Sequence, residues 1–222
     1  MSSPERTFGL IGTGGFAREV MPVARGFLRH HPDLGIEPGR IVFVDREGGA
    51  PVDGIPVLSE AEFLALDGDR HFTLAVGDGA VRQAIAERLE AFGCHPLSIR
   101  ADNVLLPDDL DCGPGAVFQP FSMVTADARI GRQFQCNLYS YVAHDCVVGD
   151  YVTLAPRVSL NGNVVVEDFV YIGTGAVIRQ GTPERPLVLG RGCVIGMGAV
   201  VTKDVAPGVT VVGSPARPLE AK

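Results

Sequence analysis

The chain has 222 residues, of which 46% are apolar and 20% are charged, a balance typical of a folded globular protein. Its formal net charge of −7 argues against nucleic acid or an anionic membrane surface as a partner. No apolar run is long enough to span a bilayer, and no signal-peptide pattern opens the chain, so we expect a cytoplasmic protein. The five cysteines form no CxxC pair, and we expect them to be free thiols.

The first half of the chain alternates predicted strands and helices. The strands are TFGLIG, RIVFVD and HFTLAVG, and the helices are TGGFAREVMPVARGFL, VLSEAEFLAL and DGAVRQAIAERLEAFG, with a polar turn, REGGAPVDG, before the second helix. Ser59 and Glu62 have the spacing of a capping box, and Gly93 closes the last helix. This alternation predicts an α/β, Rossmann-like half domain over residues 1–96, with a parallel sheet covered by helices.

From about residue 104 the sequence repeats every six residues. Fourteen hexads follow one another from AVFQPF at 116–121 to AVVTKD at 199–204, and the third residue of every hexad is apolar. Such a repeat predicts a parallel β-helix over residues 97–217, in which each hexad supplies a short strand and a turn and the third residue points inward. Prisms of this hexapeptide class are left-handed. Residues 218–222 are predicted to form a C-terminal tail.

Two irregularities of the repeat carry further expectations. Four apolar residues occupy positions interpreted as outward-facing, namely Val152, Val158, Val164 and Val170, and they predict a prism side that packs into a trimer. The segment TPERP at 182–186 interrupts the six-residue frame and predicts a protruding loop.

A glycine-rich loop follows the first strand. Gly12, Gly14 and Ala17 give a GxGxxA spacing, with Gly15 beside them, and glycines at such a turn let the backbone approach a phosphate at the helix N-terminus. The alternative is a tight turn without a ligand. Three strands make only half of a dinucleotide fold, so a mononucleotide, such as that of an activated sugar, is the favoured ligand.

Polar residues after the second and third strands are candidates for the same site. Asp45 and Arg46 end the second strand and are predicted to contact the base or the ribose; the alternative is a solvated turn. Gly77 and Asp78 end the third strand, where Asp78 is equally interpretable as a helix cap.

His144 is the only histidine of the repeat region. It falls at the corner of the hexad SYVAHD, and a zinc site would need several histidines, so metal hydrolysis is excluded. An imidazole titrates near neutrality and suits a general base, and the adjacent Asp145 is predicted to orient the ring. The alternative is an ordinary solvated turn residue.

The glycine loop, together with SYVAHDCVVGD, VSLNGNVVV, VYIGTGAVI, CVIGMGAVVTKDV and VVGSPARPL, resembles a known family over nearly the whole chain. The family is that of the bacterial nucleotide-sugar N-acetyltransferases of the bacillosamine and perosamine type, related to sialic acid O-acetyltransferases, within the hexapeptide-repeat acyltransferase superfamily. The resemblance implies a homotrimer with active sites between neighbouring prisms. The nucleotide would lie in the N-terminal domain and acetyl-CoA in the groove between subunits, with no metal.

The same resemblance implies roles for single residues. His144, followed by Asp145 and Cys146, matches the catalytic base, and Asn137 matches an asparagine near the sugar amine. Gly162 matches a glycine whose N–H meets the thioester carbonyl. Acetyl-CoA would pass the small corners Gly173, Gly175, Gly196 and Gly198, and Arg217 would meet its phosphates. Two positions depart from the family pattern, since Phe16 and Thr153 stand where histidines are common.

The resemblance implies an acetyl-CoA-dependent N-acetyltransferase of glycan or O-antigen biosynthesis, acting on a nucleotide-linked amino sugar, with a 4-amino-4,6-dideoxy sugar as the expected acceptor. Guanine, uracil and thymine carriers are equally compatible with the residues. An anionic substrate on a chain of net charge −7 further predicts a local cluster of arginines that includes Arg18. The alternatives are a sugar O-acetyltransferase with the same base, and a non-catalytic hexapeptide scaffold that binds a nucleotide.

Overall fold

The computed structural model describes residues 5–219. Its first part is a six-stranded sheet in the order β3-β4-β2-β1-β5-β6, parallel except for β3, with helices packed against it. The elements are β1 (Arg6–Ile11), α1 (Gly15–His30), a 3-10 turn (Pro32–Leu34), β2 (Ile36–Asp45), β3 (Gly49–Val52), β4 (Ile55–Ser59), α2 (Glu60–Leu64), β5 (Asp69–Leu74), α3 (Gly79–Ala91) and β6 (His95–Pro96).

The three predicted strands and the three predicted helices of this part are present, with corrections. The second helix is limited to Glu60–Leu64, because Val57–Ser59 belong to β4, and the sheet has six strands rather than three. The polar segment REGGAPVDG is not a plain turn, because most of it forms β3 and the start of the hairpin to β4. The capping box at the start of α2 is present in both directions, since the Ser59 hydroxyl accepts from the Glu62 N–H and the Glu62 carboxylate accepts from the Ser59 N–H. Gly93 adopts a φ of +76° after α3, as a helix-terminating glycine does.

The second part is a prism of three parallel faces. The first face holds β7 (Ile99–Arg100), β9 (Val117–Phe118), β12 (Gln135–Cys136), β15 (Thr153–Leu154), β18 (Tyr171–Ile172), β21 (Val194–Ile195), β23 (Thr210–Val212) and the antiparallel β24 (Arg217–Pro218). The second face holds β10 (Met123–Val124), β13 (Tyr141–Val142), β16 (Ser159–Leu160), β19 (Val177–Ile178) and β22 (Val200–Val201). The third face holds β8 (Asp111–Cys112), β11 (Arg129–Ile130), β14 (Val147–Val148), β17 (Val164–Val166) and β20 (Leu187–Leu189).

The interior of the prism is filled by two side chains of each hexad rather than one. The third residues are buried as predicted, from Phe118 to Val201. The first residues are buried as well, so the interpretation of Val152, Val158, Val164 and Val170 as an outer packing face is wrong: they are at most 1% exposed within a single chain. The reason is geometric, since the residue just before each strand also points inward from the corner.

The sixth residue of each hexad turns the chain at a prism edge. Nine successive hexads place a non-glycine residue there with φ between 55° and 61°, namely Phe121, Asp127, Gln133, Tyr139, Asp145, Tyr151, Arg157, Asn163 and Phe169. This left-handed conformation is unusual for residues with a Cβ, and its repetition shows that the coil geometry imposes it.

A buried arginine joins the two parts. The chain leaves the first sheet with β6 and enters the prism with β7. Between the parts, Arg82 of α3 is fully buried and donates hydrogen bonds to the Tyr151 carbonyl (2.6 Å), the Thr153 hydroxyl (2.8 Å) and the carbonyls of Val76 and Gly77 (2.9 Å each). These contacts fix the first sheet against the first face of the prism.

Two segments depart from the regular hexad coils, the insertion and the C-terminal end of the chain. The insertion at 182–186 emerges between β19 and β20 as the predicted protruding loop, closed by reciprocal backbone hydrogen bonds of Thr182 and Arg185. The predicted tail begins inside β24, and residues 220–222 lie outside the described part of the chain. Within residues 5–219, no helix combines the length and the apolar character needed to cross a bilayer.

Candidate active site

The glycine loop between β1 and α1 has the geometry of an anion site. Gly12 has a φ of +109°, and a Cβ there would lie 3.3 Å from the Ala75 carbonyl oxygen, so only glycine fits. Gly14 caps α1 without a side-chain hydrogen bond, and a Cβ at Gly14 or Gly15 would meet no atom within 4 Å. The N-terminus of a sixteen-residue helix therefore faces open space, where its backbone N–H groups attract negative charge.

Asp45 lies beside this loop. The Thr13 hydroxyl donates a hydrogen bond to one carboxylate oxygen of Asp45, and the Arg46 backbone N–H donates to the other at 2.7 Å. The structure thus brings together the loop and the acid at the end of β2. Thr13 was not among the predicted residues, although the GTGG quartet contains it.

The residues predicted after β5 belong to the scaffold. Asp78 caps α3, since its carboxylate accepts from the Val81 N–H at 2.9 Å, which confirms the helix-cap interpretation. The Gly77 carbonyl accepts from Arg82 and from the Thr153 hydroxyl. Phe16, which replaces the family histidine, is half-buried against the core of the first part.

A cluster of arginines follows one side of α1. Arg18, Arg25 and Arg29 line a cavity of about 280 Å³ together with Phe43 and Asp53. Arg18 lies in the first turn of the helix, next to the open N-terminus. Positive charge is therefore concentrated along α1 on a chain of net charge −7, and its place at the substrate site stays a prediction.

On the prism, His144 and Asp145 touch although they are adjacent in sequence. Imidazole Nδ1 lies 2.7 Å from a carboxylate oxygen of Asp145, and the two side chains are 60% and 51% exposed. The left-handed backbone of Asp145, with a φ of 56°, turns its carboxylate back toward the ring. An imidazole bonded in this way at Nδ1 has Nε2 directed to the surroundings.

Gly162 faces the imidazole from the next coil. A Cβ at this position would lie 2.5 Å from Cε1 and 2.6 Å from Nε2 of His144, so the ring occupies the space that any side chain would need. The Gly162 carbonyl accepts from the Gly181 N–H at 3.0 Å, and among the described residues its own N–H has no acceptor. A free donor therefore lies beside the exposed imidazole.

Both residues lie on the prism edge between the second and third faces, which we call the histidine edge. Asn137 lies on a different edge, at the end of β12, and strand β13 separates it from His144. Its side chain is 8% exposed and donates to the Leu154 carbonyl at 2.7 Å. Within one chain, the structure does not bring the predicted asparagine and histidine together.

The four predicted glycine corners divide into two kinds. Gly175 and Gly198 have φ values of +72° and +66°, and a Cβ there would meet nothing within 4 Å, so these corners leave open space as predicted. At Gly173 a Cβ would lie 2.7 Å from the Met197 nitrogen, and at Gly196 it would lie 2.7 Å from Val212. The expectation of free room at these two positions is wrong, because the next coil fills it.

Thr153, Cys146 and Arg217 complete the predicted set. Thr153 is buried between the two parts of the chain, bonded to Arg82 and Gly77, and so lies away from the histidine edge. Cys146 points into the prism, where it donates to the Asn161 carbonyl, and burial raises the pKa of its thiol to about 11. Arg217 is exposed on β24 and donates to the Ala216 carbonyl at 2.8 Å.

Comparisons with known proteins agree with this architecture. Residues 8–89 match the PglD N-terminal domain family. The chain is 42% identical over 214 residues to a GDP-perosamine N-acetyltransferase from Escherichia coli O157:H7, with 96% of each chain covered.

Within residues 5–219, no group of three or more His, Cys, Asp or Glu side chains is arranged to hold a metal ion.

Solved structures show the same fold. WeeI from Acinetobacter baumannii AYE is 44% identical with a TM-score of 0.91, covering 96% of this chain and 100% of WeeI. The acetyltransferase domain of PglB from Neisseria gonorrhoeae FA1090, in complex with acetyl coenzyme A, is 29% identical with a TM-score of 0.85, covering 97% and 100%. These likenesses confirm an α/β domain followed by a left-handed parallel β-helix. The chain belongs to the nucleotide-sugar N-acetyltransferase family of the hexapeptide-repeat acyltransferases.

Proposed function

We propose that this protein transfers the acetyl group of acetyl-CoA to the amine of a nucleotide-linked 4-amino-4,6-dideoxy sugar, in glycan or O-antigen biosynthesis. The observation that carries the proposal is the exposed imidazole of His144, bonded to Asp145 and packed against Gly162, whose N–H has no acceptor among the described residues. The relative at 42% identity acts, by its name, on GDP-perosamine, which makes this sugar the first acceptor to test.

The geometry supports a direct transfer with His144 as the base. The Asp145 carboxylate accepts a hydrogen bond from Nδ1–H of His144, and in this tautomer Nε2 is unprotonated and able to accept a proton. The neutral sugar amine attacks the thioester carbonyl carbon and Nε2 takes the proton that the amine loses. The Gly162 N–H donates to the oxygen that becomes negative, and the thiolate of CoA leaves as the carbonyl re-forms. The protein stays unmodified throughout.

We assign nucleotide binding to residues 1–96 and acetyl transfer to the β-helix at 97–217. The open N-terminus of α1 at Gly14 and Gly15 suits the diphosphate of the nucleotide. Asp45 lies close enough to the loop to accept from the ribose or the base, with Arg46 beside it. Arg18, in the first turn of α1, adds positive charge to this end.

We further propose a homotrimer in which a second copy supplies Asn137. One chain places Asn137 and His144 on different edges of the prism, on either side of the second face. That face exposes Met123 and Val177 on either side of the half-buried Tyr141, and the exposed stacked rings of Phe121 and Tyr139 flank it. Packing such faces around a threefold axis brings the two edges of neighbouring chains together. A cytoplasmic location is proposed with it, because all five cysteines are free.

The decisive experiment is CoA thiol release from acetyl-CoA with GDP-, UDP- and dTDP-linked 4-amino sugars. We expect rapid turnover on one amino sugar and a decrease of about 10²- to 10⁴-fold in kcat for His144→Ala. His30→Ala is the matched control, because His30 also forms an exposed pair with a carboxylate, Asp102 at 3.0 Å, and belongs to the C-terminal turn of α1 rather than to the histidine edge. We expect the kcat of His30→Ala to stay at the wild-type value.

Other outcomes would point to the alternatives. Turnover only on hydroxyl-bearing sugars would show an O-acetyltransferase with the same base. Nucleotide binding without turnover, unaffected by His144→Ala, would show a scaffold. A wild-type rate in His144→Ala on the amino sugar would exclude the imidazole as the base.

A further inference from the structure

The corner that carries Gly162 has an unusual link to the next coil of the prism. At equivalent positions on the histidine edge, the backbone N–H groups of Ala143 and Arg179 donate to a carbonyl of the next coil at 2.9 Å. At Asn161, the residue before Gly162, the same hydrogen bond to the Ile178 carbonyl is 3.4 Å long. The backbone ladder is therefore weaker at the residue that precedes the proposed donor to the thioester oxygen.

The side chain of Asn161 replaces this weak backbone link. Its Nδ2 donates to the Ile178 carbonyl at 2.7 Å, and its Oδ1 accepts from the Tyr141 hydroxyl at 2.9 Å. Tyr141 belongs to the coil that carries His144, and Ile178 belongs to the coil that follows that of Asn161. One half-buried amide thus connects three successive coils at the histidine edge.

The peptide group between Asn161 and Gly162 has a defined direction. The Asn161 carbonyl accepts from the thiol of Cys146 at 3.2 Å, and Cys146 is fully buried in the prism. In a trans peptide the carbonyl and the N–H point in opposite directions, so the Gly162 N–H points away from the interior. A thiol is a weak donor, so the side-chain amide of Asn161 makes the stronger contacts of this residue.

We propose that Asn161 and Tyr141 are positioning residues for acetyl transfer. The Tyr141 hydroxyl holds the amide of Asn161, and this amide holds the Gly162 N–H toward the oxygen that becomes negative. The proposal rests on the function proposed above, because it takes this N–H as the donor to the thioester. A donor that is already oriented does not have to reorganise as the charge develops.

The test is steady-state kinetics of Asn161→Ala and Tyr141→Phe with acetyl-CoA and the amino sugar. We expect kcat to fall by about 10- to 100-fold in Asn161→Ala, which is less than the full loss of an oxyanion donor costs. In Tyr141→Phe we expect a fall of about three- to tenfold, the effect of one hydrogen bond. The double variant has the kcat of Asn161→Ala alone, because the hydroxyl acts through the amide.

The KM values and the pH profile distinguish this role from others. Both variants keep the wild-type KM for both substrates and the wild-type shape of the pH profile, because only the transition state loses a contact. A higher KM for the sugar at unchanged kcat in Tyr141→Phe overturns the proposal, since the hydroxyl would then bind the substrate. A displaced pH profile also overturns it, since Tyr141 would then act on His144. So does a smaller sedimenting mass of Tyr141→Phe, since the effect would then come from the contact between chains.

The matched control is Tyr171→Phe. Tyr171 has the same position in its hexad as Tyr141, but it is exposed on the first face of the prism. We expect Tyr171→Phe to retain the wild-type kcat, and an equal fall in both tyrosine variants overturns the specific role of Tyr141.

Hydrogen exchange of residues 159–163, measured by mass spectrometry without any acceptor sugar, separates this inference from the proposed function. We expect exchange in this segment to become about tenfold faster in Asn161→Ala and to stay at the wild-type rate in Tyr171→Phe. Faster exchange supports the anchoring of this corner even if every acceptor sugar fails. Unchanged exchange in Asn161→Ala overturns it, as does a wild-type kcat in both Asn161→Ala and Tyr141→Phe.

Discussion

Among single residues, the contact between Gly162 and His144 determines how the imidazole is held. The glycine provides two things, a backbone N–H without an acceptor among the described residues and the space in which the ring lies. Asp145 holds the other side of the ring at Nδ1. The imidazole is therefore positioned by one backbone contact and one carboxylate, both from the same prism edge.

This contact predicts that Gly162→Ala lowers activity without unfolding the protein. The added methyl would lie 2.5 Å from Cε1, and the exposed ring would rotate away from its place. A displacement of about 1 Å at a reacting group is enough for a decrease of roughly 100-fold in kcat. Steady-state kinetics with acetyl-CoA and the amino sugar measures it.

The matched control is Gly26→Ala, where the new methyl meets nothing within 4 Å in the middle of α1. We expect unchanged kinetics and a free energy of unfolding that increases by about 0.5–1 kcal/mol, because alanine is the better helix residue. If Gly162→Ala retained the wild-type kcat, the ring would not occupy this position during catalysis.

The five cysteines provide a second prediction about single residues, which concerns the reactivity of their thiols. Burial raises the pKa of the thiols of Cys112, Cys146 and Cys193 to about 11 and that of Cys136 to about 12, and it also raises the pKa of Cys94. At pH 8 nearly all of these thiols are protonated, and a thiol reacts far more slowly than a thiolate. We expect no alkylation by iodoacetamide within minutes in the native state and alkylation of all five thiols in urea, as counted by intact mass.

Rapid labelling of Cys146 with loss of activity would contradict this prediction. It would also favour a covalent acetyl-cysteine intermediate over direct transfer. Cys146→Ala, which retains an apolar side chain inside the prism, is expected to keep the wild-type kcat.

Sequence reasoning identified the residues that break a repeat and overlooked those that join distant segments. His144 stood out because the repeat region holds one histidine, and Asp45 because it ends a strand after a glycine loop. Arg82 could not be found in this way, since its partners lie at Val76, Gly77 and positions 151–153. Only the docking of α3 on the first face brings them together.

At the level of elements, the hexad pattern predicts the strands but not the direction of every side chain. The third residue was recognised as inward because it is always apolar, whereas the first residue varies between alanine, serine, phenylalanine, cysteine, valine and leucine. For most hexads this residue follows a corner with a left-handed backbone, which a period-two strand pattern does not describe. The β3–β4 hairpin was missed because Gly, Pro and Asp dominate its sequence.

The connection between α3 and the first face predicts the effect of replacing Arg82. Its guanidinium is fully buried without a carboxylate partner, and burial lowers its pKa to about 10. Arg82→Ala would leave the carbonyls of Val76, Tyr151 and Val152 without this donor and would also create a cavity. We expect a loss of about 3 kcal/mol or more in the free energy of unfolding.

Urea unfolding followed by circular dichroism measures this loss. Arg88→Gln is the matched control on the same helix, since Arg88 forms a half-exposed ion pair with Glu60 at 2.6 Å and its removal costs less than about 1 kcal/mol. Equal losses in the two variants would show that Arg82 does not join the two parts. A separate unfolding transition of Arg82→Ala at a lower urea concentration would show that the first sheet unfolds independently of the prism.

For the whole molecule, the distribution of exposed apolar side chains distinguishes the three prism faces. The first face is covered at Val117, Gln135 and Thr153 by the N-terminal sheet and its helices. The third face directs the charged side chains of Asp111 and Arg129 outward. The second face presents Met123 and Val177 between two edges, of which one carries stacked aromatic rings and the other His144.

The exposed apolar side chains of the second face therefore predict that three chains pack through this face and that turnover depends on this packing. Val177→Lys places a charge in the proposed contact between chains, where a desolvated charge without a partner is costly. We expect wild type to sediment at three times the chain mass of 23.5 kDa and Val177→Lys to sediment as a monomer. The variant would also lose turnover, because Asn137 of a second copy would no longer lie near His144.

Val147→Lys is the control, since Val147 is similarly exposed on the third face, and this variant is expected to remain trimeric and active. A monomer in Val147→Lys and a trimer in Val177→Lys would instead place the contact on the third face, and an active monomer would remove the second copy from the reaction.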